Sequence, residues 1–183
     1  YRKMLQLRSH GITKNSNDFI EKASGPWSYE QQILGFNYRI TDIQCALGIS
    51  QLNRLQEMIK TRNSLYNSYK EMLKDLPVKL LEIPQDVKSS HHLAIIRLKN
   101  KNIKFHKFLF NFMRKSNIGV QLHYSPVHLN PYYKEQGFKK GDFPEAESYG
   151  KNAISLPLFP EITESELYRI VETLKDGIKL YND

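Results

Sequence analysis

The pair Asn37 and Arg39 lies two residues apart in "GFNYRI", immediately ahead of a helix-start signal at Thr41. In an extended chain such residues share a face. The amide and the guanidinium then point one way, while Phe36, Tyr38 and Ile40 point the other and can anchor the segment in a core. An amide beside a guanidinium, close to the free N–H groups of a helix N-terminus, suits a phosphate or a carboxylate. A plainer reading stands beside it, in which Arg39 pairs with Asp42 and Asn37 shapes the turn. A second candidate is "HYSPVHLNPYY", residues 123–133. Pro126 stops its strand, and His123, Tyr124, His128, Tyr132 and Tyr133 bring neutral donors, acceptors and flat rings into one loop. That set suits an organic ligand; the alternative is packed tyrosines and solvated histidines.

Other chemistries find little support. His91, His92, His123 and His128 fall near predicted strand ends, but no His-x-x-x-His or Cys-x-x-Cys spacing accompanies them, so no metal ligand set is expected. The chain has no G-x-S-x-G, P-loop or Rossmann glycine fingerprint, which leaves hydrolase, nucleotidase and dehydrogenase templates unsupported.

The elements that must carry these residues follow from periodicity and caps. "YRKMLQL" reads as a helix already in progress, opening on Tyr1 where an initiator Met is expected, so a segment upstream is expected. A Gly, Ser and Asn-rich stretch follows, with a short strand expected near Trp27 to Ile33. Thr41 and Gln44 form a capping-box pattern, and Asp42 suits the helix dipole. Apolar residues then recur at steps of three and four from Ile43 to Leu73, so residues 42–75 predict one helix about 50 Å long. A helix of that length runs from one domain into another, which sets the expected boundary near Pro77: residues 1–76, then residues 77–183.

Beyond it, residues 91–98 and 119–124 predict strands, and residues 104–117 predict an amphipathic helix. "PEAESYGKN" predicts a short helix. "AISLPLF" (153–159) predicts a third strand that Pro157 demotes to an edge or an extended segment. A second capping box, Thr163 to Glu166, opens a last helix with Leu167, Ile170, Val171, Leu174 and Ile178 inward. The second region is therefore a small α+β unit.

Composition sets outer bounds. The 183 residues are 40% hydrophobic and 25% charged, ordinary globular usage. The charge of +8 comes from 19 lysines and 8 arginines strewn along the chain, not gathered in a stripe, which argues against a nucleic-acid partner. A lone cysteine, Cys45, forbids an intrachain disulfide and fits a reducing, cytoplasmic setting. Neither a membrane span nor an export signal is indicated.

The blocks "LRSHGIT", "GFNYRITDIQCALGISQL", "GVQLHYSPVHLNPYY" and "SLPLFPEITESE" resemble, in order and over the whole chain, the DegT/DnrJ/EryC1/StrS pyridoxal-phosphate-dependent sugar aminotransferases. Within that family the blocks resemble the transaminases of pseudaminic acid biosynthesis, which act on UDP-4-keto-6-deoxy-N-acetylhexosamines. The resemblance implies the C-terminal part of an α/β, aspartate-aminotransferase-like fold, with a long linking helix and a small C-terminal domain. It implies a homodimer with active sites at the interface, pyridoxal 5'-phosphate as cofactor, a UDP-sugar substrate and glutamate as amino donor. By the match, Asn37 reaches the cofactor phosphate of the neighbouring subunit, with Arg39 helping to hold cofactor or substrate. His123, Tyr124 and His128 line the substrate cavity.

The family's Schiff-base lysine precedes the "RSHG" block, and its other cofactor contacts lie earlier still, so none is in this chain. The polypeptide by itself is expected to be inactive, since a lysine nucleophile must be placed over the cofactor with a lowered pKa. Two other readings remain: a non-catalytic remnant or interaction subunit that pairs with a separately encoded N-terminal half, and, on charge alone, a nucleic-acid binder with steep salt dependence.

Overall fold

The computed structural model describes residues 1–100 and 102–182. The chain divides into two compact units, residues 1–54 and residues 55–183. The first begins with helix α1 (Arg2–Arg8). Two short antiparallel strands follow, β1 (Ile12–Thr13) and β2 (Glu30–Gln31), with Ile12 opposite Gln31. The strand expected over residues 27–33 is thus only two residues long, because its partner offers two. Helix α2 (Asp42–Met72) begins in this unit and ends in the other. At 31 residues it is about 46 Å long.

The capping box at its start is formed. The Thr41 N–H donates to Gln44 Oε1 at 2.9 Å, and the Gln44 N–H donates to Thr41 Oγ1 at 3.3 Å. Within residues 1–54 only Gly11 is buried. Ile43, Leu47 and Leu52, the apolar stripe of the helix's first half, are all exposed, Ile43 by 84%. This unit has no apolar core of its own.

The second unit does. Strands β3 (Val78–Leu80), β4 (Ala94–Leu98), β5 (Gln121–Leu122) and β6 (Ala153–Leu156) form an antiparallel sheet in the order β3-β4-β6-β5. Helices α3 (Ile103–Lys115), α4 (Pro131–Glu135), α5 (Pro144–Gly150) and α6 (Glu164–Asn182) complete it. Alternation along the strands gives two faces. Val78, Ala94, Ile96, Leu98, Ile154 and Leu156 join Leu109 and Met113 of α3, Leu174 of α6, and Tyr66, Tyr69 and Leu73 of α2 in one core. The other face carries Ile95, Arg97, Gln121, Ala153 and Ser155.

One expectation is corrected here. β6 is no edge: it pairs with β4 on one side and β5 on the other, and all four residues are buried. Pro157 lies one residue past its end, so it costs the ladder nothing. The last turns of α2, with Tyr66, Tyr69 and Leu73, are core residues of the second unit.

The cap of α6 matches expectation. The Thr163 N–H donates to Glu166 Oε2 at 2.9 Å, and the Glu166 N–H donates to Thr163 Oγ1 at 3.3 Å. Thr163→Ala is expected to cost about 1 kcal/mol of unfolding free energy. An unchanged urea midpoint would show that the cap contributes nothing.

Candidate functional site

The turn holding Asn37 and Arg39 is fixed by its backbone. The Phe36 N–H donates to the Leu7 carbonyl at 2.7 Å, the Tyr38 N–H to the Arg8 carbonyl at 2.9 Å, and the His10 N–H to the Phe36 carbonyl at 2.8 Å. Asn37 forms an antiparallel bridge with Ser9. His10 and Gly11 have φ of 63° and 73°, a left-handed pair that glycine eases. A methyl group at Gly11 would overlap the Ile33 carbonyl, and one at Gly35 would overlap the Gly11 amide. The glycines of "SHG" and "LGF" thus permit one close crossing of two backbones, and that crossing presents residues 36–39.

The side chains of the turn are free. Asn37 and Arg39 are exposed, and among the described residues neither makes a side-chain hydrogen bond or ion pair. The pairing of Arg39 with Asp42 is therefore not formed. The expected anchoring of Phe36, Tyr38 and Ile40 in a core is corrected: all three are exposed. Phe36 and Tyr38 stack on each other, centroids 4.8 Å apart and planes 13° from parallel. Two residues apart on one side, they leave Asn37 and Arg39 on the other. An anion at this turn would meet an amide, a guanidinium and no competing carboxylate partner.

The second unit places His123, Tyr124 and His128 unequally. Tyr124 is 64% exposed, and its ring lies 4.2 Å from that of His123. The Nδ1 atom of His123 is buried without a hydrogen-bond partner, and burial holds the imidazole below its usual pKa. His123 is thus neutral near neutral pH. His128 is only 7% exposed, and its Nε2 lies 3.1 Å from Glu147 Oε1. The same carboxylate oxygen accepts the Gly141 N–H at 2.6 Å. His128 therefore ties the loop to α5, and its ring faces Phe143 edge-on at 4.9 Å.

The Glu147 carboxyl lies below its ordinary pKa of 4.5, first because the Gly141 N–H donates to it and then because His128 does. A lowered folded-state pKa gives stability that is present above the unfolded value and lost as pH falls through the folded one. Stability is therefore expected to fall below about pH 4.5 as this carboxylate takes up a proton, and Glu147→Gln should flatten that part of the curve. Melting temperatures of both proteins against pH test this; parallel curves would deny the linkage.

Two residues that sequence reasoning passed over join His123 and Tyr124. Gln121 and Ser155 line, with them and with Leu93 and Pro157, a cavity of about 240 Å³. Ser155 carried a signal, a hydroxyl inside the apolar run "AISLPL". Gln121 carried none beyond its alternation with Leu122. Among the described residues no group of three or more His, Cys, Asp or Glu is placed to hold a metal ion, and no helix is long and apolar enough to cross a membrane.

The fold defines a class of protein. The structure matches Spr1654 from Streptococcus pneumoniae in its apo form with a TM-score of 0.88 at 26% identity, covering 100% of this chain and 45% of that one. It matches Helicobacter pylori PseC, an aminotransferase involved in the biosynthesis of pseudoaminic acid, with a TM-score of 0.82 at 27% identity, covering 97% of this chain and 46% of that one. The chain therefore has the fold of part of an aminotransferase. Residues 1–175 match the DegT/DnrJ/EryC1/StrS aminotransferase family, and the chain belongs to it. A curated relative, the UDP-4-amino-4,6-dideoxy-N-acetyl-beta-L-altrosamine transaminase of Campylobacter jejuni, is 32% identical over 183 residues, 96% of this chain and 46% of its own length. The spore coat polysaccharide biosynthesis protein SpsC of Bacillus subtilis is 31% identical over 181 residues, 97% of this chain and 46% of its own length. The chain spans a little under half the length of these relatives.

Proposed function

We propose that this chain is the C-terminal portion of a pyridoxal-phosphate-dependent aminotransferase that moves an amino group from glutamate to a UDP-linked 4-keto-6-deoxy-N-acetylhexosamine. The supporting observation is the turn at residues 35–40: a backbone held by its neighbours that offers Asn37 and Arg39 unpartnered. These residues fit a phosphate monoester, since a planar guanidinium and an amide N–H give charge-assisted and neutral donors to its oxygens. Spr1654 has been solved with pyridoxal phosphate and pyridoxamine phosphate forms, and the family match extends that cofactor to the whole protein proposed here. When bound, the cofactor supplies the electron sink for amino transfer.

In this reading Asn37 and Arg39 grip the cofactor phosphate of a neighbouring subunit in a homodimer, and His123, Tyr124 and the loop braced by His128 face the sugar nucleotide. Residues up to 76 close the large cofactor-binding domain, and residues 77–183 make the small domain. The exposed flank of Leu34, Phe36, Tyr38 and Ile40 favours a neighbour over solvent. The lone Cys45 accords with a cytoplasmic setting.

The test is to combine the chain with a matching, lysine-bearing N-terminal half and supply glutamate with the UDP-4-keto sugar. Formation of the UDP-4-amino sugar is the expected result. A folded mixture that retains the cofactor but aminates no sugar nucleotide would overturn the substrate assignment.

A further inference from the structure

The sheet face turned away from the α3 and α6 helices carries a pair of polar atoms with nothing to bind. Ser155 is 4% exposed, and neither its Oγ nor Nδ1 of His123 has a hydrogen-bond partner. Both residues line the same cavity. Gln121 pairs with Ser155 across β5 and β6, so His123, two residues on, lies diagonally from Ser155 on the same face. Such diagonal neighbours are about 7–8 Å apart, within reach of one ligand. Buried polar atoms without partners are rare in native proteins because each costs free energy to desolvate. The cavity of about 240 Å³ is several times the ~30 Å³ share of one water, so a single bridging water does not fill it.

The lining states what class of ligand would satisfy these atoms. Leu93, Gly119, Gln121, Tyr124, Pro157 and Leu158 carry no charge, and His123 is held neutral by burial. The lining itself holds no cation to select a phosphate or carboxylate and no carboxylate to select an amine, and Arg97 on the same sheet face lies over the Tyr149 ring, 5.4 Å from its centroid. A hydroxyl, an amide and an imidazole beside apolar walls and an exposed tyrosine ring suit an uncharged ring that bears hydroxyl or acetamido groups. We infer that Ser155, His123 and Gln121 form the pole that binds the sugar ring of the nucleotide sugar, with Ser155 as a specificity-determining residue beyond the "HYSPVH" loop. The inference rests on the sugar-nucleotide reading given above.

Ser155 has two opposed effects under this arrangement. Its hydroxyl burdens the ligand-free fold and serves the ligand. Ser155→Ala is therefore expected to raise the melting temperature of the ligand-free chain and to weaken sugar binding by about fivefold to tenfold, the value of one neutral hydrogen bond.

The test titrates the chain combined with its lysine-bearing N-terminal half with methyl N-acetylglucosaminide, UDP-N-acetylglucosamine and UDP, reading the Ser155 amide and the His123 ring by NMR. Both sugar-bearing probes should shift these two signals, UDP should leave them in place, and Ser155→Ala should reduce the affinity. A lowered melting temperature for Ser155→Ala would show that its Oγ has a structural partner, and would overturn the inference. If UDP and UDP-N-acetylglucosamine bind equally and shift signals elsewhere, the sugar-nucleotide reading survives and this pole falls. If no probe shifts any signal of the folded, combined protein, both fall.

Discussion

Tyr69→Ala is expected to lower the unfolding free energy of the residue 55–183 unit by about 3–5 kcal/mol, the cost of removing a large ring from a packed core. Tyr69 is fully buried, and its hydroxyl donates to the Pro157 carbonyl at 2.8 Å. One side chain thereby joins the last turns of α2 to the end of β6. Burial also pushes the phenol well above its usual pKa, so the hydroxyl remains a donor across the working range. Tyr69→Phe keeps the ring and leaves the Pro157 carbonyl without this donor, so it is expected to cost only about 1 kcal/mol. Urea denaturation followed by circular dichroism separates the two. Equal losses would mean that the hydrogen bond, not the packing, fastens α2 to the sheet.

Arg39→Ala is expected to act in the opposite way, on binding and not on folding. The guanidinium is exposed and has no partner among the described residues, so the unfolding free energy should change by no more than about 0.5 kcal/mol. In the protein combined with its lysine-bearing half, loss of a charge-assisted contact of about 1.5–3 kcal/mol weakens phosphate retention roughly 10- to 100-fold. Arg39→Lys keeps the charge but not the planar fork, and should fall between. Equilibrium dialysis of pyridoxal phosphate against the three proteins gives the ratio. Equal retention by wild type and Arg39→Ala would remove Arg39 from the site.

What could be read from the sequence was local in origin. Thr41 with Gln44 and Thr163 with Glu166 mark helix starts because their partners lie three residues away, and both boxes form. The face of α3 was legible because Phe105, Leu109 and Met113 recur at helical spacing. β6 was misplaced because its neighbours, β4 and β5, lie about 60 and 30 residues upstream, and Pro157 gives no sign of falling just past the ladder. β3 went unseen because its three residues extend only against β4.

The sites divide the same way. The alternation of "FNYR" told which side chains share a face, and the Phe36–Tyr38 stack agrees. It could not tell that this flank would lie open, since burial depends on what packs against the chain. His128 and Tyr124 stand four residues apart in one loop, yet one is held by Glu147 from α5 and the other is exposed. Nothing local distinguishes them.

The central claim is that the turn at Asn37 grips the phosphate of pyridoxal phosphate in a site the chain completes for a neighbour. Its most direct measurement is the ³¹P NMR spectrum of the cofactor with this chain and a lysine-bearing N-terminal half, for wild type and Asn37→Ala. The phosphate resonance should be shifted and broadened with wild type, and return towards its free position with Asn37→Ala while both halves remain folded. The same bound resonance in both would contradict the claim.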